Sequence, residues 1–73
     1  MATDTSREVA GIVRAEMARR EVSQRAIADA LGKSHMFVGR RLRGEVAFDV
    51  DDLVTVARLL DLNPHDLLPA VAS

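Results

Sequence analysis

The sequence predicts an all-α domain of five short helices. Three observations carry this. The 73-residue chain is 48% apolar yet holds only two aromatics, Phe37 and Phe48, so its interior must be aliphatic. Ala, Leu and Val dominate, runs of β-branched residues are absent, and helix formers recur throughout. A capping residue flanked by a pair of apolar residues at staple spacing returns several times along the chain, which is the local code for a helix start.

Helix 1 is expected to begin at Thr5, because Thr5 and Glu8 have capping-box spacing. Val9, Val13 and Met17 recur every four residues and Ile12 widens the stripe. Gly11 weakens this helix by roughly 1 kcal/mol relative to Ala. Arg19 and Arg20 close it, where cations suit the dipole.

Helix 2 starts with Ser23 as N-cap, and Val22 and Ile27 form its staple. Ile27 and Leu31 face the core, and Ala26, Ala28 and Ala30 permit close neighbours. Gly32 stands where a left-handed residue ends a helix. Ser34 caps helix 3, whose Val38 and Leu42 point inward; His35, Met36, Gly39, Arg40 and Arg43 fall on its other faces, and Gly44 ends it.

Asp49 caps helix 4, with Phe48 and Leu53 at staple spacing and Asp51 and Asp52 in the acid-favouring first turn. Leu53, Val54, Val56, Ala57 and Leu60 give it a broad apolar face. Helix 5 opens with Asn63 as N-cap and Pro64 at its first position, and Leu62 and Leu67 repeat the staple. Pro69 cuts it short. The links are short and no repeat or low-complexity tract intervenes, so residues 1–73 are expected to form one domain with frayed ends at 1–4 and 70–73.

A chain of this size is near the lower limit for a self-sufficient core. The absence of cysteine excludes disulfides and thiolate metal sites and suits a reducing compartment. No apolar run reaches membrane-span length, so a soluble cytoplasmic protein is expected. The net charge of −1 hides a strong polarity. Residues 19–43 hold seven basic and two acidic side chains, a local +5 against −6 for the rest. Such a basic segment can bind phosphate on an otherwise acidic chain.

The stretch Ser23 to Gly44 combines two short helices, a glycine turn and a basic second helix. Ala28 lets the helices cross closely, Gly32 makes the turn and Val38 anchors the second helix. That is the layout of a helix-turn-helix, in which the N-terminal end of the second helix reaches base edges in the DNA major groove. Residues 23–68 resemble the Cro and lambda-repressor (XRE) family of DNA-binding domains, through Ser23-Gln24, Ala28, Leu31-Gly32, Val38 and Gly44, then Asp52-Leu53, Ala57 to Leu62 and Asn63 to Leu68.

The resemblance implies a lambda-repressor-like five-helix fold and a sequence-specific transcriptional regulator, a repressor or Cro-like protein of a bacterial or phage-infected cell. His35, Met36 and Arg40 match positions that face base edges, and Gln24, Arg43 and the loop through Val46 match phosphate-contacting ones. Arg40 suits guanine, Met36 a thymine methyl and His35 a guanine or a phosphate. Lys33, Ser34 and Gly39 complete the expected DNA-backbone set, Gly39 by letting the backbone approach the DNA. For Lys33 the competing reading is a solvated turn residue and for Met36 a packing role; Phe37 is expected to pack against helix 2, with a place near the DNA backbone as its alternative. The expected partner is an operator duplex bound by a homodimer, formed in solution or only on DNA, with Leu67, Leu68 and Val71 as its surface. No cofactor, metal, membrane or small-molecule substrate is expected, and no catalytic arrangement surrounds Ser23, Ser34, His35 or His65.

Two departures from the family stand out. Many members pair an Arg in helix 1 with a Glu near the end of helix 3; here Met17 and Leu42 take those places, so a hydrophobic contact replaces an ion pair. Arg41 occupies a place that is often apolar, so its stem is expected along the core edge with its head reaching water. The rival readings are an antitoxin or restriction-controller protein of the same fold, and a module that turns this fold against a protein partner.

Overall fold

The computed structural model describes residues 3–70. Four α-helices, α1 (Asp4–Arg20), α2 (Gln24–Leu31), α3 (His35–Leu42) and α4 (Val50–Leu59), are followed by a single 3₁₀ turn, Pro64–Leu67. The fifth helix is thus reduced to one turn. Pro69 forces the residue before it out of helical conformation, and Leu68 is indeed extended (φ −100°, ψ 147°), which leaves no room for a second turn. Val71 lies outside the described residues.

The caps follow local chemistry. Ser23, Ser34 and Asp49 each accept the backbone N–H three residues on, at 3.1, 3.1 and 2.7 Å. At the 3₁₀ turn the Asp66 carboxylate accepts the Asn63 N–H at 3.0 Å. Helix α1 starts earlier than the Thr5–Glu8 spacing suggests. Thr3 is its N-cap and accepts the Ser6 N–H at 3.0 Å, so Thr5 lies inside the first turn.

All four helices end in the same way. A left-handed residue follows the last turn, its N–H and the next N–H returning to carbonyls of that turn, as in the Schellman motif. Gly32 (φ 65°) and Gly44 (φ 77°) fill this place after α2 and α3. Glu21 (φ 54°) and Asp61 (φ 58°) fill it after α1 and α4. Lys33 and Glu45, one residue beyond the glycines, donate to Ala28 and Arg40 carbonyls at 3.0 and 2.9 Å. Val22 and Leu62 do the same to Met17 and Ala57 at 2.9 and 2.8 Å.

One aliphatic core joins these elements. Val9, Val13 and Met17 of α1 meet Ile27 and Ala28 of α2, Val38 and Leu42 of α3, Val56 and Ala57 of α4, and Leu60 and Leu67. Met17 and Leu42 are both buried in it, as expected for a hydrophobic replacement of the ion pair. Each fully buried Val, Leu or Ile contributes about 1.5–3 kcal/mol. Leu67 has no exposed surface, so the 3₁₀ turn plugs the core between α1 and α4. Helix α3 rests on α2 and α1, which leaves its opposite side open to solvent. Among the described residues no helix is long and apolar enough to cross a membrane.

Candidate nucleic-acid interface

Helix α3 divides cleanly. Val38 and Leu42 are buried, while His35, Met36, Arg40 and Arg43 are exposed. Met36 keeps 74% of its surface open, a high value for a long apolar side chain, so it is not a packing residue within this chain. Arg40 lies one turn beyond Met36, on the same face. Ser34, Met36, Phe37, Arg40, Arg41 and Val46 line a shallow groove of about 410 Å³ along this side.

Gln24 opens α2 and reaches across to α3. Its Nε2 donates to the His35 carbonyl at 3.1 Å, tying the first residues of the two helices together. An amide has further hydrogen-bonding capacity, so this bond fixes the side chain while leaving groups for a second partner. Gly39 is buried beneath it. A Cβ there would lie 3.1 Å from Gln24 Nε2 and 3.0 Å from Arg43 Nη1. Gly39 therefore does not present its backbone outward as expected; the side chains of Gln24 and Arg43 cover it.

Arg43 does not stand free. Its Nε donates to a Glu45 carboxylate oxygen, and the Arg43 hydrogen bond is the main cause that holds the Glu45 carboxyl below its ordinary pKa. Nothing in the spacing of these two residues announced that pairing; it arises because Gly44 turns the chain back and places Glu45 beside the helix end.

Arg41 also differs from expectation. Its Nη1 donates to the Phe37 carbonyl at 3.1 Å, and its guanidinium carbon sits 3.4 Å from the Phe37 ring centroid. The head stacks on the helix instead of reaching into water, the cation–π attraction holding it there. Lys33 Nζ lies 5.2 Å from the same ring, and Phe37 itself is half-buried against the core, so its role is packing.

The charge polarity narrows in space. Arg19 and Arg20 sit at the C-terminal end of α1, both paired with Glu16. The basic residues on the two-helix unit itself are Arg25, Lys33, Arg40, Arg41 and Arg43. Leu67, a candidate for a subunit surface, is wholly buried and offers none; Leu68 beside it is half-exposed.

Comparisons with known proteins agree with this geometry. The helix-turn-helix family profile matches residues 13–67. The restriction-modification controller protein C.AhdI from Aeromonas hydrophila is similar in structure, with a TM-score of 0.78 and 22% identity over 86% of this chain and 96% of that one. The DNA-binding domain of BldD is similar too, with a TM-score of 0.76 and 21% identity over 94% of this chain and 100% of that one. At these identities the two structures speak for the fold alone. Among curated proteins, none matches the sequence. With the profile covering most of the chain, from the middle of α1 through the 3₁₀ turn, the chain belongs to the XRE-type helix-turn-helix family of DNA-binding transcription regulators.

Proposed function

We propose that the chain acts as one domain that reads double-stranded DNA in sequence, as a repressor or Cro-like regulator in the cytoplasm. Helix α3 enters the major groove. His35, Met36 and Arg40 meet base edges, while Gln24, Lys33, Ser34 and Arg43 hold phosphates. Gly39 serves by seating Gln24 and Arg43. One observation carries the reading: the exposed row His35, Met36 and Arg40 backs onto the buried row Val38 and Leu42, with Gln24 bonded at the head of the same helix.

A single helix this short reads few base pairs, which favours a homodimer on a two-fold site. Of the residues expected at its surface, Leu68 is half-exposed and Val71 lies outside the described residues. The second reading is a restriction-modification controller, which is what C.AhdI, a protein of the same fold, is.

Selection of duplexes from a random pool at moderate salt, followed by footprinting, tests the proposal. Enrichment of one sequence is expected, protected as two half-sites about one helical turn apart. Log affinity should fall with log salt at a slope of about −0.9 per phosphate neutralised. If no sequence is enriched, the sequence-reading role fails, and a protein-directed module takes its place.

A further inference from the structure

We propose that Arg14 of α1 is a positioning residue for α3, setting the seat from which His35, Met36 and Arg40 face DNA. This deepens the function proposed above and rests on it.

The C-terminal end of α3 has carbonyls that its own turn cannot all satisfy. The Schellman closure takes two of them: Gly44 N–H bonds the Arg41 carbonyl at 3.1 Å and Glu45 N–H bonds the Arg40 carbonyl at 2.9 Å. The Leu42 carbonyl is left. It accepts a hydrogen bond from Arg14 Nη1, a half-buried contact between residues 28 apart in sequence. A guanidinium there also suits the negative end of the helix dipole.

Arg14 thus answers Gln24. Gln24 holds the carbonyl of the first residue of α3, and Arg14 holds that of the last. Between the two bonds α3 is clamped by side chains from two different helices. Just beyond, Gly44 lies against α1 so closely that a Cβ on it would come within 3.1 Å of Arg7 Cα. The eight residues of α3 span about 11 Å, so a tilt of about 5° at the Leu42 end moves the His35 end by about 1 Å. Contacts of this kind tolerate errors of about 0.5 Å. In this chain the place of the expected α1 arginine is Met17, and the donor stands nearly one turn earlier, aimed at backbone instead of a carboxylate.

The test uses the duplex enriched by the wild-type chain and a control duplex with the same base pairs permuted. Affinities for both, the salt slope and the melting temperature are measured for the wild type, Arg14→Met and Arg14→Lys, far below the melting temperature. Loss of a charge-assisted hydrogen bond that orients the helix should lower the ratio of the two affinities about tenfold in Arg14→Met, with an unchanged salt slope. Arg14→Lys keeps one donor and should fall about threefold. An unchanged ratio with only a lower melting temperature overturns the proposal, as does equal weakening on both duplexes with a shallower slope, which would make Arg14 a phosphate contact. If Arg14→Met does not fold, Arg14→Lys decides by the same ratio. Failure of the wild-type selection removes the DNA-reading role and this proposal together, whereas a flat ratio in the variants removes this proposal alone.

Discussion

Gln24 and Gly39 meet across the angle between α2 and α3: the Gln24 amide nitrogen passes 3.1 Å from where a Cβ on Gly39 would stand. Gly39 has ordinary helical geometry, so Ala there gains about 1 kcal/mol of helix propensity. The atoms it would meet are the ends of the flexible Gln24 and Arg43 side chains, which can move away. Gly39→Ala is therefore expected to raise thermal stability by up to about 1 kcal/mol and to weaken DNA binding, because both displaced side chains are proposed phosphate contacts. Paired melting and binding curves check this. A variant that melts higher and binds as well as the wild type shows that the seat beneath Gln24 is irrelevant to DNA.

Arg40 is the strongest candidate for reading a base, since an exposed guanidinium on this face can pair bidentately with guanine. Arg40→Ala should cost about 1–3 kcal/mol at one base position and relax preference there. Repeating the selection with the variant measures it. Equal weakening on every duplex would make Arg40 a phosphate contact instead.

Glu45 engages the Arg43 guanidinium that is proposed to hold a phosphate. Its carboxyl is held below the ordinary range, first by the Arg43 hydrogen bond and then by the nearby charges of Arg43 and Arg40, with burial opposing. The pairing therefore persists at neutral pH and is lost only as pH falls through that lowered value. If Arg43 holds a phosphate as proposed, DNA displaces the carboxylate at neutral pH. Glu45→Gln should raise affinity about two- to fivefold on specific and permuted duplexes alike, the scale of an exposed ion pair. Titration of both duplexes at pH 7 decides; unchanged affinity would mean that Arg43 is not held back.

What could be read in advance follows from the range of each interaction. Ser23, Ser34 and Asp49 cap where expected because a cap needs only a side chain and a backbone N–H three residues away. Gly32 and Gly44 mark their turns because positive φ selects glycine. Thr3 and Thr5 offer the same capping chemistry two residues apart, and it is Thr3 that caps α1. The bond from Arg14 to the Leu42 carbonyl has no local signature at all, since backbone acceptors are the same at every residue. Leu67 belongs both to the Leu62–Leu67 staple and to the expected subunit surface, and these two roles are incompatible: a staple residue packs inward, and Leu67 is wholly buried.

The non-glycine helix ends were equally hidden, and they offer a simple gain. Glu21 holds φ 54° and Asp61 φ 58°, conformations that strain a side chain at Cβ. Glycine relieves the strain but loses more entropy on folding. The balance for Glu21→Gly is expected to be about 0.5–1 kcal/mol of added stability. Asp tolerates this region better, so Asp61→Gly should gain less. Chemical denaturation of both variants orders them; a loss in Glu21→Gly would show that the Glu21 side chain contributes more than its backbone costs.

Asp52 gives the fold a pH dependence of its own. It is 9% exposed, and its Oδ2 is buried without a hydrogen-bond partner. Burial raises its pKa above the ordinary carboxylate value, the charge of Asp49 adds to this, and Lys33 and Arg41 pull the other way. A raised folded-state value means that the associated stability is present in full below the ordinary pKa and is lost as pH rises through the raised one. At pH 7 the ionised group therefore costs stability, although its place in the first turn of α4 limits that cost through the helix dipole. Asp52→Asn should melt higher than the wild type at pH 7, and the difference should shrink to nothing as pH falls below the ordinary carboxylate range. Melting curves across that span test the sign. A lower melting temperature at pH 7 would instead show that the Asp52 charge holds Arg41 and Lys33 in place beside α3, which would outweigh the cost of burying it.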